Sequence, residues 1–207
     1  ILGYFLLKKD IAPYYLVPTF LFTTIILIRV VEILKPKLLE WNKLGDNLGV
    51  DILHTLLTRI GTKEIFNLLL YGSLVKAGAY ITEVLNINLF PRNSNIFIQL
   101  TFSLLFVEFF SYWLHRIAHH QKILWKFHEV HHSPKIMWVL NVSRSHPLDI
   151  LYRLVLPYML LFILGVKNET LGLYLVVTGV ISFLQHSNLE LNTRFFNYVF
   201  ATPRLNH

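Results

Sequence analysis

The sequence predicts an all-α protein: an integral membrane bundle of about four to five apolar helices, each near the ~20 residues that cross a bilayer. Two observations support this fold class. The composition is 54% hydrophobic, with a mean hydropathy of +0.51. Only 15% of the residues are charged, against about 25% in an ordinary soluble domain. No linker or repeat divides the chain, so we expect residues 1–207 to form a single domain.

The apolar residues are gathered into five runs, at 11–34, 65–87, 96–114, 148–166 and 171–185. The second run is the weaker of the long ones, because Lys76 and Glu83 interrupt it. The third runs directly into a histidine. The last two are short and are separated only by the letters KNET, which predicts a helical hairpin that just crosses. Leucines alternate with polar residues in 35–63, which predicts a loop with short amphipathic helices.

The distribution of positive charge predicts the orientation of these runs. The connecting segments 35–63 and 115–147 carry five Lys or Arg each, whereas 88–95 carries only Arg92. Cytoplasmic loops are the ones enriched in Lys and Arg. We therefore expect the two basic segments to lie in the cytoplasm, in a bacterial inner membrane or the endoplasmic reticulum. The net charge of +7 suits anionic lipid headgroups better than nucleic acid.

The chain contains no cysteine, which excludes disulfides, iron–sulfur clusters and thiolate zinc sites. It begins without Met and ends on a histidine that continues a pattern, so we expect an internal fragment or a chain trimmed at both ends.

Histidines are concentrated in the second half of the sequence. Nine of the ten lie between residues 115 and 207, and six of these fall within eighteen residues. Imidazole is the commonest metal ligand and suits iron, zinc and copper. The predicted ligands of a metal centre, with nine members suited to two ions, are His115, His119, His120, His128, His131, His132, His146, His186 and His207. The remaining one, His54, is expected to be an ordinary surface or core residue.

Helical spacing predicts how the clustered histidines pair. Residues three or four apart share one face of a helix. His115 and His119 can therefore grip an ion, and His128 can do the same with His131 or His132. All the clustered histidines adjoin predicted cytoplasmic segments, so the metal site is expected at the cytoplasmic face.

Other polar groups are expected to orient the ligating rings through their second nitrogen. The candidates are Glu108, Asn141, Asp149, Asn188 and Glu190. Glu108 lies within an apolar run, where an unpartnered acid is costly. Asp149 follows His146 and Pro147, and it fits a helix N-terminus equally well.

These boxes carry a family resemblance. HRIAHH at 115–120 and HEVHH at 128–132 resemble the HX3H(H) and HX2HH boxes of the fatty acid hydroxylase/sterol desaturase superfamily. SHPLD around His146 and QHSN around His186 resemble its intervening histidines, and TPRLNH at 202–207 resembles the lead-in to its last box. The similarity covers about 96–207, the catalytic region, and only the first histidine of that last box is present.

The resemblance implies a membrane-bound non-haem di-iron oxygenase that hydroxylates or desaturates a lipid C–H bond with O2 and two electrons. It implies two iron ions, with zinc a possible occupant after purification. It also implies a lipid substrate drawn from the surrounding membrane lipids, and a separate cytochrome b5-type or ferredoxin-type electron donor.

Two other functions fit parts of the pattern. HEVHH also satisfies H-E-x-x-H, the zinc-protease motif in which Glu129 would be the general base. That alternative leaves His115, His119, His146, His186 and His207 unexplained. A membrane metal transporter should carry its ligands near the middle of a span, whereas these histidines lie at the ends of spans.

Overall fold

The computed structural model describes residues 12–61, 76–77, 80–81, 83–84 and 89–191. Within these ranges the protein is helical and contains no strand, as the sequence predicts. Most of the predicted run 65–87 lies outside the described residues, and so does His207.

The α-helices are labelled α1 (Ala12–Leu34), α2 (Asn47–His54), α3 (Ile96–His120), α4 (Lys122–His128), α5 (Pro147–Ile150), α6 (Leu156–Ile163) and α7 (Asn168–Gln185). Two 3-10 turns, Leu39–Asn42 and Val139–Ser143, lie between them. Helix α2 continues as a π-helical turn over Thr55–Gly61, and a second π-helical turn, Leu151–Val155, joins α5 to α6. The segment after α1 thus has the short helices that the sequence predicts.

Helix α3 begins and ends at residues that explain its length. The side chain of Asn95 caps its first turn by accepting a hydrogen bond from Ile98 N at 3.0 Å. No glycine or proline interrupts the sequence from 96 to 120. The helix stops at Gln121, whose extended backbone redirects the chain into α4. The helix therefore extends beyond the apolar run, and the histidines that follow the run lie on its last turns.

The predicted hairpin is present, with its turn slightly earlier than expected. Helices α6 and α7 are joined by 164–167, where Gly165 has a φ of +85°, a conformation that glycine adopts readily. Of the KNET letters, Asn168, Glu169 and Thr170 form the first turn of α7 rather than the loop. Their polar side chains suit a helix N-terminus, where backbone N–H groups need partners.

Two apolar clusters mark the two ends of the bundle. At one end, Phe90, Val107, Leu161 and Tyr174 pack together, and Thr170 donates to Gln99 Oε1 at 2.8 Å. At the other end a second cluster joins α1, the Val139–Ser143 turn and the end of α7; its buried members are Ile28, Trp138, Val139, Phe183 and Leu189. This second end receives the C-terminal ends of α1, α3 and α7, and it carries the described clustered histidines.

The flanks of α1 and α3 are apolar and exposed. Phe22 and Leu34 on α1 are 64% and 72% exposed, and Phe97 and Leu105 on α3 are 76% and 65% exposed. Both helices are long and apolar enough to cross a membrane. The core helix of a soluble protein is mostly buried, whereas only 17% of the most apolar stretch of each of these two helices is buried.

Candidate metal centre

The first two histidines of the site lie on the last turns of α3. His115 and His119 are four residues apart and project from the same face, as their spacing predicts. Their Nε2 atoms are 3.0 Å apart, and their rings stack with centroids at 4.9 Å. Two nitrogens this close suit one shared cation, because metal–imidazole bonds are about 2.0–2.1 Å long.

Two further histidines come from α4 and the turn after it. His128 ends α4 and is completely buried, and His132 follows one turn later. Their Nε2 atoms are 3.1 Å apart. The short helix α4 packs against α3, which brings this second pair of rings onto the first.

The two pairs converge into one group. One candidate ligand atom from each of His115, His119, His128 and His132 lies within 4.8 Å of the other three. The sequence predicted two pairs, His115 with His119 and His128 with His131 or His132, and the structure joins the first pair to His128 and His132 in a single four-imidazole cluster. Partial burial and the rings of His128 and His119 lower the pKa of His132 to about 4, although its side chain keeps some solvent exposure. It is therefore neutral at pH 7, as a metal ligand must be.

A buried carboxylate orients one ring of this cluster. Asp149 Oδ1 lies 2.9 Å from His128 Nδ1 and accepts a second hydrogen bond, from Tyr152 Oη, at 2.8 Å. Arg153 donates to Asp149 Oδ2 from Nε and Nη2 at 3.3 and 3.2 Å. Because an ionised carboxylate only accepts, Nδ1 of His128 carries the proton and its Nε2 is left to bind a metal.

His131 and His186 form a second pair beside this cluster, with Nε2 atoms 3.4 Å apart. The His131 ring lies 5.6 Å from that of His128 and 5.5 Å from that of His132, measured between centroids. Each donates from Nδ1 to a backbone carbonyl, His131 to Arg144 at 3.0 Å and His186 to Ser182 at 2.9 Å. Both rings therefore present an unprotonated Nε2 to the same point. Burial, then the charge of Arg153, holds the pKa of His131 well below its usual range, so this ring also stays neutral.

The other predicted ligands stand apart from these two groups or outside the described residues. His120 is exposed and lines a surface cavity of about 260 Å³ with His119, Lys122 and Trp125. His146 caps α5, its Nδ1 accepting from Leu148 N at 3.1 Å. His207 is not among the described residues. For all nine histidines, metal ligation stays a prediction.

Of the five groups expected to orient a histidine, Asp149 contacts one directly. Glu108 accepts from Tyr174 Oη at 3.3 Å. The side chain of Asn141 bonds with Asp51 and Trp138, and that of Asn188 bonds with the backbone of Leu38. Glu190 is exposed.

Sequence reasoning missed several polar residues that build the site. Tyr152 and Arg153 hold Asp149, while Glu32 and Asp51 are completely buried. The sequence feature that could have identified these acids and Arg153 is a charged residue near or inside an apolar run. Arg144 is one of the five basic residues by which 115–147 is predicted to be cytoplasmic, and the expectation that it lies on the surface is wrong: it is 6% exposed and forms an ion pair with Asp51 at 2.6 Å.

The family follows from a comparison with known sequences. Residues 100–207, about half of the chain, match the profile of the fatty acid hydroxylase family. This chain belongs to the fatty acid hydroxylase family. The resemblance seen in the histidine boxes is thereby confirmed.

One curated family relative matches most of the chain. Ornithine lipid hydroxylase OlsE from Rhizobium tropici is 30% identical over 204 residues. The match covers 98% of this chain and 61% of the relative, so the chain spans about three fifths of the relative's length. No solved structure matches the chain significantly.

Proposed function

We propose that this chain is the core of a membrane-bound non-haem di-iron oxygenase that hydroxylates a C–H bond of a membrane lipid. The observation that carries the proposal is the convergence of four imidazoles beside a second imidazole pair, at the end of an apolar helix. The reaction consumes O2, two electrons and two protons, and it yields a hydroxylated lipid and water.

The donor set fits iron. His115, His119, His128 and His132 would hold one ion, and His131 with His186 would contribute to a second. Neutral imidazoles leave the charge of the ions undiminished, and ions so bound would supply the Lewis acidity and redox capacity for O2 chemistry. The protein's own part is to fix the tautomers: Asp149 and two backbone carbonyls hold the Nδ1 protons of His128, His131 and His186.

The position of the site favours a lipid substrate. The apolar exposed flanks of α1 and α3 suit insertion into a bilayer, and the histidines follow at the end of α3. Basic residues of 115–147 favour a cytoplasmic site. A lipid that stays in the bilayer could thus bring a C–H bond to the metals near the membrane surface. The name of the Rhizobium tropici relative supports lipid hydroxylation over desaturation.

The protease and transporter alternatives account for fewer of these contacts. A catalytic zinc site keeps one position open for water, whereas four imidazoles would fill a tetrahedral shell. Glu129, the base of a protease, is exposed. A transporter would hold its ions near mid-span, and these rings lie on the last turns of α3 and after it.

The test is metal and lipid analysis of the full-length protein. We expect about two iron ions per chain after reconstitution, and oxygen insertion into one membrane lipid detected by mass spectrometry. His119→Ala and His131→Ala should each lower metal content and abolish lipid hydroxylation.

His54→Ala is the control, because His54 lies on α2 and belongs to neither histidine group. It should keep both metal and activity. Activity that survives His119→Ala but disappears with His54→Ala would refute the assignment, and hydrolysis of a peptide bond by a zinc-loaded protein would support the protease.

A further inference from the structure

Two carboxylates of the N-terminal half, Glu32 on α1 and Asp51 on α2, are completely buried. Both lie before residue 100, where the match to the family profile begins. An acid in an apolar setting is costly unless hydrogen bonds and charges compensate it. Both acids are compensated, and their partners belong to segments that carry histidines.

Glu32 connects α1 to two distant parts of the chain. Its Oε1 accepts from Val139 N and from Asn188 N, each at 2.9 Å. Its Oε2 accepts from Arg29 at 3.1 Å, so one oxygen remains dedicated to the two amides. Asn188 is two residues beyond His186, and the residues just after α1 hold it further through Lys37 N, which donates to its carbonyl at 2.9 Å.

Asp51 accepts hydrogen bonds from three residues of the segment between His131 and His146. Its Oδ2 accepts from Trp138 Nε1 at 2.7 Å and from Asn141 Nδ2 at 2.9 Å. Its Oδ1 accepts from Arg144 Nε at 2.6 Å. The carbonyl of Arg144 in turn accepts the Nδ1 proton of His131. One side chain of α2 therefore fixes the residue whose backbone sets the tautomer and direction of a ring.

We propose that Glu32 and Asp51 are positioning residues for the His131–His186 pair, so that the N-terminal half builds one half of the metal centre. The inference rests on the proposed function, because it assigns these acids to the binding of a second ion. Glu32 sets the backbone that follows His186, and Asp51 sets the backbone that orients His131. The four-imidazole cluster has its own carboxylate, Asp149, which bonds to His128.

Replacing either acid by its amide gives a defined defect. A carboxylate offers acceptors only, whereas an amide turns one of them into a donor. In Asp51→Asn, the new NH2 group would face a donor of Trp138 and Asn141 or that of Arg144, so those hydrogen bonds would be lost. In Glu32→Gln, the new NH2 group would likewise face either the backbone amides of Val139 and Asn188 or the guanidinium of Arg29. The volume hardly changes, so the main effect is on the placement of the bonded loops.

The experiment is a cobalt titration of full-length apoprotein in detergent, with d–d absorption as the readout. Wild type should bind two equivalents, and His186→Ala should bind one tightly. Glu32→Gln and Asp51→Asn should keep one equivalent at wild-type affinity and weaken the other about 10–100-fold, the usual cost of losing a group that orients a ligand. Their residual spectrum should match that of His186→Ala. The exposed acids Glu40 and Asp46 give matched controls, Glu40→Gln and Asp46→Asn, which should behave as wild type.

Each other result overturns the proposal in a distinguishable way. Two normal equivalents in both variants would remove the positioning role and leave the metal centre intact. Equal weakening of both equivalents would mean that these acids support the fold in general. No cobalt binding by wild type would refute the proposed function and this assignment with it. If Glu32→Gln does not fold, Glu32→Asp applies the same test, because the shorter side chain keeps the charge but cannot reach both amides.

Discussion

Asp149 is the carboxylate that bonds to a ring of the four-imidazole cluster, that of His128. It is completely buried and holds His128, Tyr152 and Arg153 at once. We predict that Asp149→Asn weakens metal binding by the four-imidazole cluster about 10–100-fold. The amide can still accept one bond, but it cannot balance the charge of Arg153 and hold His128 in one tautomer. Competition with a chelator of known affinity measures the change.

Glu190 provides the comparison for this prediction. The sequence predicted that both Asp149 and Glu190 orient a histidine, yet Glu190 is exposed while Asp149 bonds to a histidine. Glu190→Gln should therefore leave the metal affinity unchanged. Equal losses in the two variants would show that the acids act on the metal centre through overall charge and not through contact.

At the level of helices, regular spacing made part of the site predictable. His115 and His119 are four residues apart, and one helical turn of α3 aligns them. His128 and His132 have the same spacing, but His128 ends α4 and the turns after it bring His132 beside it. The His131–His186 pair spans 55 residues and arises only because α7 ends beside the turn after α4. Helix periodicity contains no information about contacts between helices, so that pair could not be read from the sequence.

Helices α1 and α7 approach closely at a glycine, where any added side chain would require Leu21 to shift. A Cβ atom built on Gly179 would lie 2.6 Å from Leu21 Cδ2. We predict that Gly179→Val destabilises the protein by about 1–3 kcal/mol through overpacking. Because α7 ends at Gln185, next to His186, it should also displace that ring and reduce metal content. Thermal unfolding in detergent and metal analysis measure the two effects.

Gly49→Val is the matched control for the helix contact. Gly49 lies on α2 with nothing within 4 Å of its added Cβ atom, so the same substitution meets no neighbour there. It should change the stability and the metal content little. If both variants lose stability equally, the loss comes from replacing glycine by a β-branched residue in a helix, and the α1–α7 packing is not the cause.

At the scale of the whole molecule, the sequence correctly predicted a helical bundle, and among the residues that the structure describes the clustered histidines lie near one end of it. Hydropathy and composition suffice for this prediction because each residue contributes to them independently of its neighbours in space. It failed where a residue's role depends on a distant partner. Arg144 counts as a cytoplasmic charge in the sequence, yet Asp51, 93 residues earlier, holds it inside the protein. The basic surface near the clustered histidines is therefore smaller than the charge count suggested.

The proposed reaction needs an electron donor, and the remaining exposed charges near the site offer a surface on which one could dock. Lys122 and Lys126 lie on α4, and Lys122 lines the surface cavity with Trp125. The Trp125 ring stacks on His132, with centroids 5.7 Å apart, and lies 5.3 Å from His119. A soluble donor docked on α4 would thus meet an aromatic ring in contact with two histidines of the cluster. The alternative is that these lysines only mark the cytoplasmic side of the membrane.

Charge reversal separates the two roles. We predict that Lys122→Glu with Lys126→Glu slows turnover driven by a reduced acidic protein donor and leaves turnover driven by a small chemical reductant unchanged. Attraction between charged partners acts mainly on the association rate and weakens with salt, so the defect should shrink as ionic strength rises in steady-state assays. Lys43→Glu, an exposed change in a different segment, is the control. Equal loss with both reductants would mean that the lysines support the metal centre itself, and no loss with either would leave them as determinants of topology alone.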